Sequence, residues 1–184
     1  MRRFFAPAPL LLGGLLLGGL PLSGCAPQMD EHIIAEHDAA LTGLKGKSVS
    51  IAIDPFKPGD PTAIPLYIET LQTKFVQQGY VISDDGKKAD LVVMGNYHIQ
   101  FRPGVKAPSG RTAYDLTLSL VVFDDRHPTK GPVLYKGMVV LTGDCPSMPA
   151  VYPYLADALF KDWPGPGGGL HEMKLPMPGF RCRG

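Results

Sequence analysis

The sequence has no excess of either charge and few of the motifs that assemble a reactive centre. Its 184 residues include 18 basic and 17 acidic side chains. No basic stripe is present to attract phosphates, so nucleic acid is not an expected partner. A nucleophile elbow, a zinc-protease helix, a phosphate-binding glycine loop and a Cys-x-x-Cys pair are all missing. The sequence therefore predicts a protein that is not an enzyme and that needs no cofactor.

What the chain does contain is a distinctive amino-terminal segment. Two arginines precede an apolar stretch over residues 4–22, and small residues separate that stretch from Cys25. The run Leu22-Ser23-Gly24-Cys25 resembles the lipobox of a bacterial lipoprotein precursor. The resemblance implies that residues 1–24 are a signal peptide and that lipid is attached to the Cys25 thiol. The membrane is then a partner through this lipid anchor.

Two other interpretations of this segment are a transmembrane anchor and a cleaved signal without lipid. Four glycines and Pro21 interrupt a stretch that is barely long enough to cross a bilayer, which argues against the anchor. A plain signal has no need of a leucine three residues before the cysteine. Ala26 stands where enterobacterial sorting rules place Asp in lipoproteins kept at the inner membrane. The sequence thus predicts an outer-membrane location, facing the periplasm of a Gram-negative bacterium.

The two remaining cysteines, Cys145 and Cys182, form an even pair in an oxidising compartment. A disulfide between them would tie the Pro/Gly-rich tail to the loop after the last predicted strand. The alternative is two free thiols, which are reactive liabilities outside the cytosol. We expect the disulfide.

The chain divides into four segments by composition. Residues 1–24 are the signal, 25–47 the lipidated cysteine with a polar tether, 48–164 the folded domain, and 165–184 a tail too rich in Gly and Pro for regular structure. The tether and the tail carry possible metal ligands, but their spacing suggests no preorganised site, and no metal is predicted. These ligands are Glu31, His32, Glu36 and His37 in the tether, and His171, Met173 and Met177 in the tail.

Hydrophobic periodicity predicts an α+β fold, in which two helices pack on one face of a mixed, mainly antiparallel sheet. Residues 48–54 and 112–123 alternate as strands do, and residues 89–101 and 133–142 supply two more long strands. One helix begins near residue 62 and ends at Gly79, and a second covers residues 148–162. Residues 102–110 are predicted to form a loop.

The face of the sheet away from the helices is the candidate binding surface. Alternation places polar residues there from two strands, one around residue 98 and one around residue 116. The alternative function is a periplasmic hydrolase or metal-handling protein, which would use either His98 with Asp115 or the His/Met-containing tail. The candidate residues are Asn96, His98, Gln100, Asp115 and Thr117.

Residues 48–164 resemble a widespread group of uncharacterised bacterial lipoproteins that share a domain of unknown function. The matching segments, apart from the lipobox, lie at 49–56, 79–80, 89–93, 120–124, 134–137, 158–160 and 163–164. The resemblance implies a small periplasmic α/β domain with no assigned activity. Together with the anchor, it predicts a non-catalytic binding or assembly module whose partner is another envelope protein or a cell-wall component.

Overall fold

The structure is a computed structural model that describes residues 28–54, 61–83, 88–126, 131–165, 170–177, 180 and 182. Its centre is a seven-stranded sheet with the order β3-β2-β4-β5-β6-β1-β7. The strands are β1 (Gln28–His37), β2 (Ser48–Ile53), β3 (Val81–Ile82), β4 (Leu91–Lys106), β5 (Thr112–Asp124), β6 (Val133–Gly143) and β7 (Leu170–Pro176). β2 runs parallel to β3 and β4, and every other pairing is antiparallel. This confirms the predicted α+β class.

Two α-helices, α1 (Ile64–Gln77) and α2 (Met148–Phe160), pack against each other and against one face of the sheet. α1 buries Tyr67, Leu71 and Phe75, which recur every four residues and form one apolar stripe. The helix ends before Gly79, whose φ of +89° is a left-handed conformation that glycine adopts without steric cost. Two short 3-10 helices, Ala39–Leu44 and Pro61–Ala63, complete the described elements.

Aromatic rings fill the layer between the helices and the sheet. Tyr67 on α1 stacks on Tyr152 of α2, with ring centroids 4.2 Å apart. Farther along the same helices, Phe75 meets Phe160 edge-to-face at 5.0 Å, and Phe160 stacks on Trp163 at 4.6 Å. Such pairs stabilise the fold by about 0.5–1.5 kcal/mol each beyond the area they bury. The aromatic layer therefore fixes both helices on one side of the sheet and leaves the other side open.

The prediction of a tether over residues 26–47 is wrong for Gln28–His37, which form β1 in the interior of the sheet. β1 pairs with β6 on one side and β7 on the other. Ile33 and Ala35 are 7% and 3% exposed because they face the helix side. Without β1, the long strand β6 would carry an open edge of unpaired backbone groups.

The tail was also predicted to lack regular structure, and this is wrong for Leu170–Pro176. These residues form β7, which pairs with β1 from Gln28↔Pro176 to Ile34↔Leu170. Glycine and proline are frequent before and after this segment, whereas six consecutive residues at 170–175 contain neither. The domain thus begins earlier and ends later than the predicted 48–164.

The predicted loop at residues 102–110 is wrong for its first half, because β4 continues to Lys106. Arg102 pairs with Ala113 and Lys106 with Thr112, so three extra residues of β4 bulge out between these pairs. Gly104, in the bulge, has a φ of +77°. Proline and glycine at 103–104 therefore mark a bulge within a strand.

Candidate functional site

The open face of the sheet, opposite α1 and α2, carries the predicted binding residues. β4 and β5 are neighbours, and their register pairs Asn96 with Ser119, His98 with Thr117 and Gln100 with Asp115. Residues alternate between the two faces of a strand, so these six side chains lie together on the open face. We call this set the polar band. The structure thus brings together all five of the predicted surface residues and adds Ser119.

Asp115 joins three strands at one end of the polar band. Its Oδ2 accepts a hydrogen bond from Arg102 Nη1 on β4 at 2.8 Å, and its Oδ1 accepts one from Thr142 Oγ1 on β6 at 2.7 Å. The carboxylate is 17% exposed. Both of its oxygens are therefore engaged in cross-strand contacts that stabilise the sheet. Asp115, which was predicted in the alternative function to be half of an acid–base pair, thus has a structural role.

Apolar side chains on the open face, which were not predicted from the sequence, lie beside the polar band. On β5 the open-face positions change from Asp115, Thr117 and Ser119 to Val121 and Phe123. β4 shows the same change, from Asn96 to Met94. On β6 and β1 the order is reversed, because Lys136 and Glu36 lie level with Val121, whereas Met138 and Ile34 lie level with Ser119. We define the apolar patch as the open-face side chains Ile34, Met94, Val121, Phe123, Met138 and Val140. Ile34 and Met94 are 38% and 36% exposed.

A signal for the apolar patch is present in the sequence. Apolar residues at 120–123 and 138–141 occupy both alternating sets of positions, whereas a strand with one solvated face shows only one apolar set. Strands that are apolar on both faces are normally covered on both faces. Among the described residues, however, no element lies over the apolar patch.

Two shallow depressions follow one another across the open face. One, of about 240 Å³, is lined by Asn96, His98, Thr117 and Ser119 of the polar band. The next, of about 290 Å³, is lined by the apolar Ile34, Val121 and Met138 and by the charged Glu36 and Lys136, and it shares Ser119 with the first. A ligand surface that spans both would meet polar groups in the first depression, and apolar groups together with one acidic and one basic side chain in the second.

The two tether candidates whose side chains the structure describes, Glu36 and His37, point to opposite faces of the sheet. Glu36 faces the open side opposite Lys136, and the neighbouring His37 faces the helix side, where its Nε2 lies 3.1 Å from the carbonyl oxygen of Gly165. Within the described part of the chain, no group of three His, Cys, Asp or Glu side chains is placed to hold a metal ion. The side chains of Glu31, His32, His171 and Met173 lie outside the described set, and Met177 is fully buried.

The predicted disulfide is present and closes the carboxyl-terminal end of the domain. Cys145, which follows β6 and is buried, bonds to Cys182 with 5.5 Å between their Cα atoms. The bridge spans 37 positions and fastens the end of the chain to the domain. Cys25, the predicted lipid attachment site, lies outside the described residues.

Comparisons with known proteins point to the fold alone. No protein-family model and no curated protein matches this sequence. The chain is similar to a solved PDZ domain protein from Parabacteroides distasonis, with a TM-score of 0.55 and 12% identity over 82% of this chain and 40% of that one. Weaker likenesses are a PelC dodecamer from Paraburkholderia phytofirmans (TM-score 0.46, 16% identity, 70% of this chain, 94% of that chain) and a DUF4136 family protein from Bacteroides thetaiotaomicron (TM-score 0.45, 15% identity, 72% and 95%). Solved structures similar to this chain thus include a bacterial domain of unknown function.

Proposed function

We propose that this chain is a lipid-anchored protein of the cell envelope that binds another envelope protein through the open face of its sheet. The observation that carries the proposal is the apolar patch beside the polar band. Contiguous exposed apolar surface rimmed by polar groups is typical of interaction sites. Interfaces also combine an apolar centre with a hydrogen-bonding rim, which this face provides.

The anchor part of the proposal rests on the lipobox at residues 22–25 and on Ala26, which together favour the outer membrane and a periplasmic orientation. In the described residues, no helix has the length and apolar character needed to cross a membrane. Lipid chains contribute about 0.8 kcal/mol for each buried CH₂ group, so two or three chains on Cys25 hold a small domain firmly. Labelled palmitate should enter the wild-type protein, and Cys25→Ser should abolish both labelling and membrane fractionation.

The binding part is tested by placing a charge on the open face. In Met94→Lys, a lysine enters the apolar patch, and in the matched control Leu66→Lys it replaces an apolar residue of α1 that is 45% exposed. Each variant is expressed in the native bacterium, and its cross-linked partners are quantified by mass spectrometry. We expect Met94→Lys to lose at least tenfold in the yield of the main partner and Leu66→Lys to retain it. Equal yields from both variants, with equal thermal unfolding, would rule out the open face as the binding surface.

A further inference from the structure

The amino-terminal end of β1 and the β4–β5 hairpin lie at the same end of the sheet. The pairings Glu31↔Leu141, Leu141↔Leu116 and Leu116↔Ile99 form one row across β1, β6, β5 and β4. Gln28 lies three residues beyond this row toward one end of the sheet, and Arg102 lies three residues beyond it in the same direction. The two residues are therefore level, separated by three strand spacings of about 4.8 Å each, or roughly 14 Å.

Cys25 is only three residues before Gln28. A segment of that length reaches at most about 10 Å even when fully extended. Since residues 28–37 are a strand and not a tether, an acylated Cys25 would hold this end of the sheet against the bilayer surface. The hairpin at the same end would then be brought to the lipid headgroups.

The hairpin tip, which we define as residues 99–114, has the composition that such a position needs. It contains three basic residues, Arg102, Lys106 and Arg111, and no acidic one. Arg102 is paired with Asp115, whereas the side chains of Lys106 and Arg111 make no ion pair within the described residues and are both exposed. Gly143 pairs with Tyr114, so the acidic Asp144, which follows it directly, lies close to this end of the sheet. Free cations at the hairpin tip would favour an anionic lipid surface.

The hairpin tip also exposes large apolar side chains. Phe101 is 54% exposed, and Ile99 and Val105 are each 37% exposed. Phe101 rests against Tyr114, with ring centroids 5.7 Å apart, so its position is fixed by a neighbour on β5. β2 pairs with β4 only as far as Gly95, and within the described chain the rest of β4 therefore pairs on one side alone. The hairpin tip thus projects past the sheet on its β2 side.

We infer that the β4–β5 hairpin tip contacts the membrane beside the lipid anchor. Phe101 and Val105 would lie at the boundary between headgroups and acyl chains, and Lys106 and Arg111 would bind anionic phosphate headgroups. The inference rests on the lipid anchor of the proposed function. Apolar side chains flanked by basic ones are what surface-bound segments present to a bilayer. The long strands then stand away from the membrane, and the open face is turned sideways toward a neighbouring protein.

The test uses the lipidated protein, purified from a bacterium and reconstituted into vesicles of phosphatidylethanolamine and phosphatidylglycerol that contain brominated acyl chains. Bromine quenches tryptophan fluorescence at short range. Phe101→Trp places a reporter on the hairpin tip, and Val133→Trp is the matched control because Val133 is 41% exposed at the opposite end of the sheet. Wild-type protein gives the background from Trp163, the single native tryptophan.

We expect the added emission of Phe101→Trp to be quenched at least twofold more than that of Val133→Trp. Adding Lys106→Glu and Arg111→Glu, or replacing phosphatidylglycerol by phosphatidylcholine, should remove most of this difference. Equal quenching of the two reporters overturns the inference. Protection of the Phe101→Trp reporter that depends on protein concentration and not on lipid also overturns it, since the hairpin tip would then bind a second copy or another protein. Failure of the lipid anchor is a separate outcome, seen as an unacylated mass and loss of flotation with the vesicles.

Discussion

Thr142 on β6 donates a hydrogen bond from its Oγ1 to Oδ1 of Asp115 on β5, at 2.7 Å. Together with the contact from Arg102, this bond ties the three central strands of the open face at the end that carries the hairpin tip. A hydrogen bond to a charged group that is largely shielded from water contributes more than one between neutral groups. Asp115 therefore stabilises the folded domain, independently of what the open face binds.

Thr142→Val should lower the free energy of unfolding by about 1–2 kcal/mol, because it leaves one carboxylate oxygen of Asp115 without its protein donor while keeping the volume of the side chain. Thr142→Ser retains the hydroxyl and serves as the control, with a smaller loss expected. Urea unfolding followed by circular dichroism measures both. A Thr142→Val variant as stable as the wild type would show that the bond contributes nothing.

Tyr135 and Gly137, two residues apart on the helix side of β6, form a second close relationship. A Cβ atom on Gly137 would overlap the phenol ring of Tyr135, which is 1% exposed and packs on Trp163 with centroids 4.4 Å apart. Gly137→Ala should therefore cost about 1–3 kcal/mol, as overpacking does in well-filled cores. Gly43→Ala is the control, because no atom lies within 4 Å of a Cβ at that position.

The origin of that cost is tested by a double-mutant cycle with Tyr135→Leu, which shortens the obstructing side chain. Gly137→Ala should cost at least about 1 kcal/mol less in the Tyr135→Leu background, since residues in direct contact show coupling of that size. Additive effects would place the strain elsewhere in the core.

The sequence was sufficient to predict the central strands and both helices, because their patterns are local. On β5, Leu116, Leu118 and Leu120 alternate with polar residues, and the structure buries these leucines completely. β1 could not be predicted in this way. Its apolar residues, Ile33 to Ala35, are consecutive and flanked by charged residues, and its partner Val139 lies more than 100 positions away along the chain.

The candidate site was likewise predictable in part. Alternation identified the polar band, since polar residues at every second position indicate a solvated face. The apolar patch was not predicted as one surface, because Ile34 and Met138 come from β1 and β6, and only the fold shows that these strands pair. Proximity of Asp115 to Arg102 and Thr142 also depends on register, which a single sequence does not specify.

Reduction of the disulfide should destabilise the domain measurably. A crosslink closing a loop of 37 residues restricts the unfolded chain by an entropy equivalent to roughly 3–4 kcal/mol. Thermal unfolding with and without reductant measures the loss, and the intact mass should rise by two hydrogens on reduction. Cys182→Ser should show the same loss and no further response to reductant. Free thiols in the oxidised native protein would contradict the pairing.

Two buried tyrosines should make the fold sensitive to alkali. Burial raises the pKa of both Tyr135 and Tyr152 well above the ordinary value of 10, and neither hydroxyl has a hydrogen-bond partner within the described residues. Above pH 10 the unfolded chain loses these protons while the folded chain keeps them. The free energy of unfolding should then fall by about 1.4 kcal/mol per pH unit for each tyrosine.

Tyr152→Phe removes one of these groups without opening a large cavity. At pH 7 the variant should be as stable as the wild type or more stable by up to about 1 kcal/mol, because the hydroxyl that it deletes is desolvated and unpaired. Between pH 10 and 12 the free energy of unfolding of this variant should decline less steeply than that of the wild type, by about 1.4 kcal/mol per pH unit, which corresponds to one proton. Adding Tyr135→Phe to the same chain should reduce the slope again. Urea titrations at several pH values give these slopes. Identical slopes in the double variant and the wild type would show that other groups control unfolding in alkali.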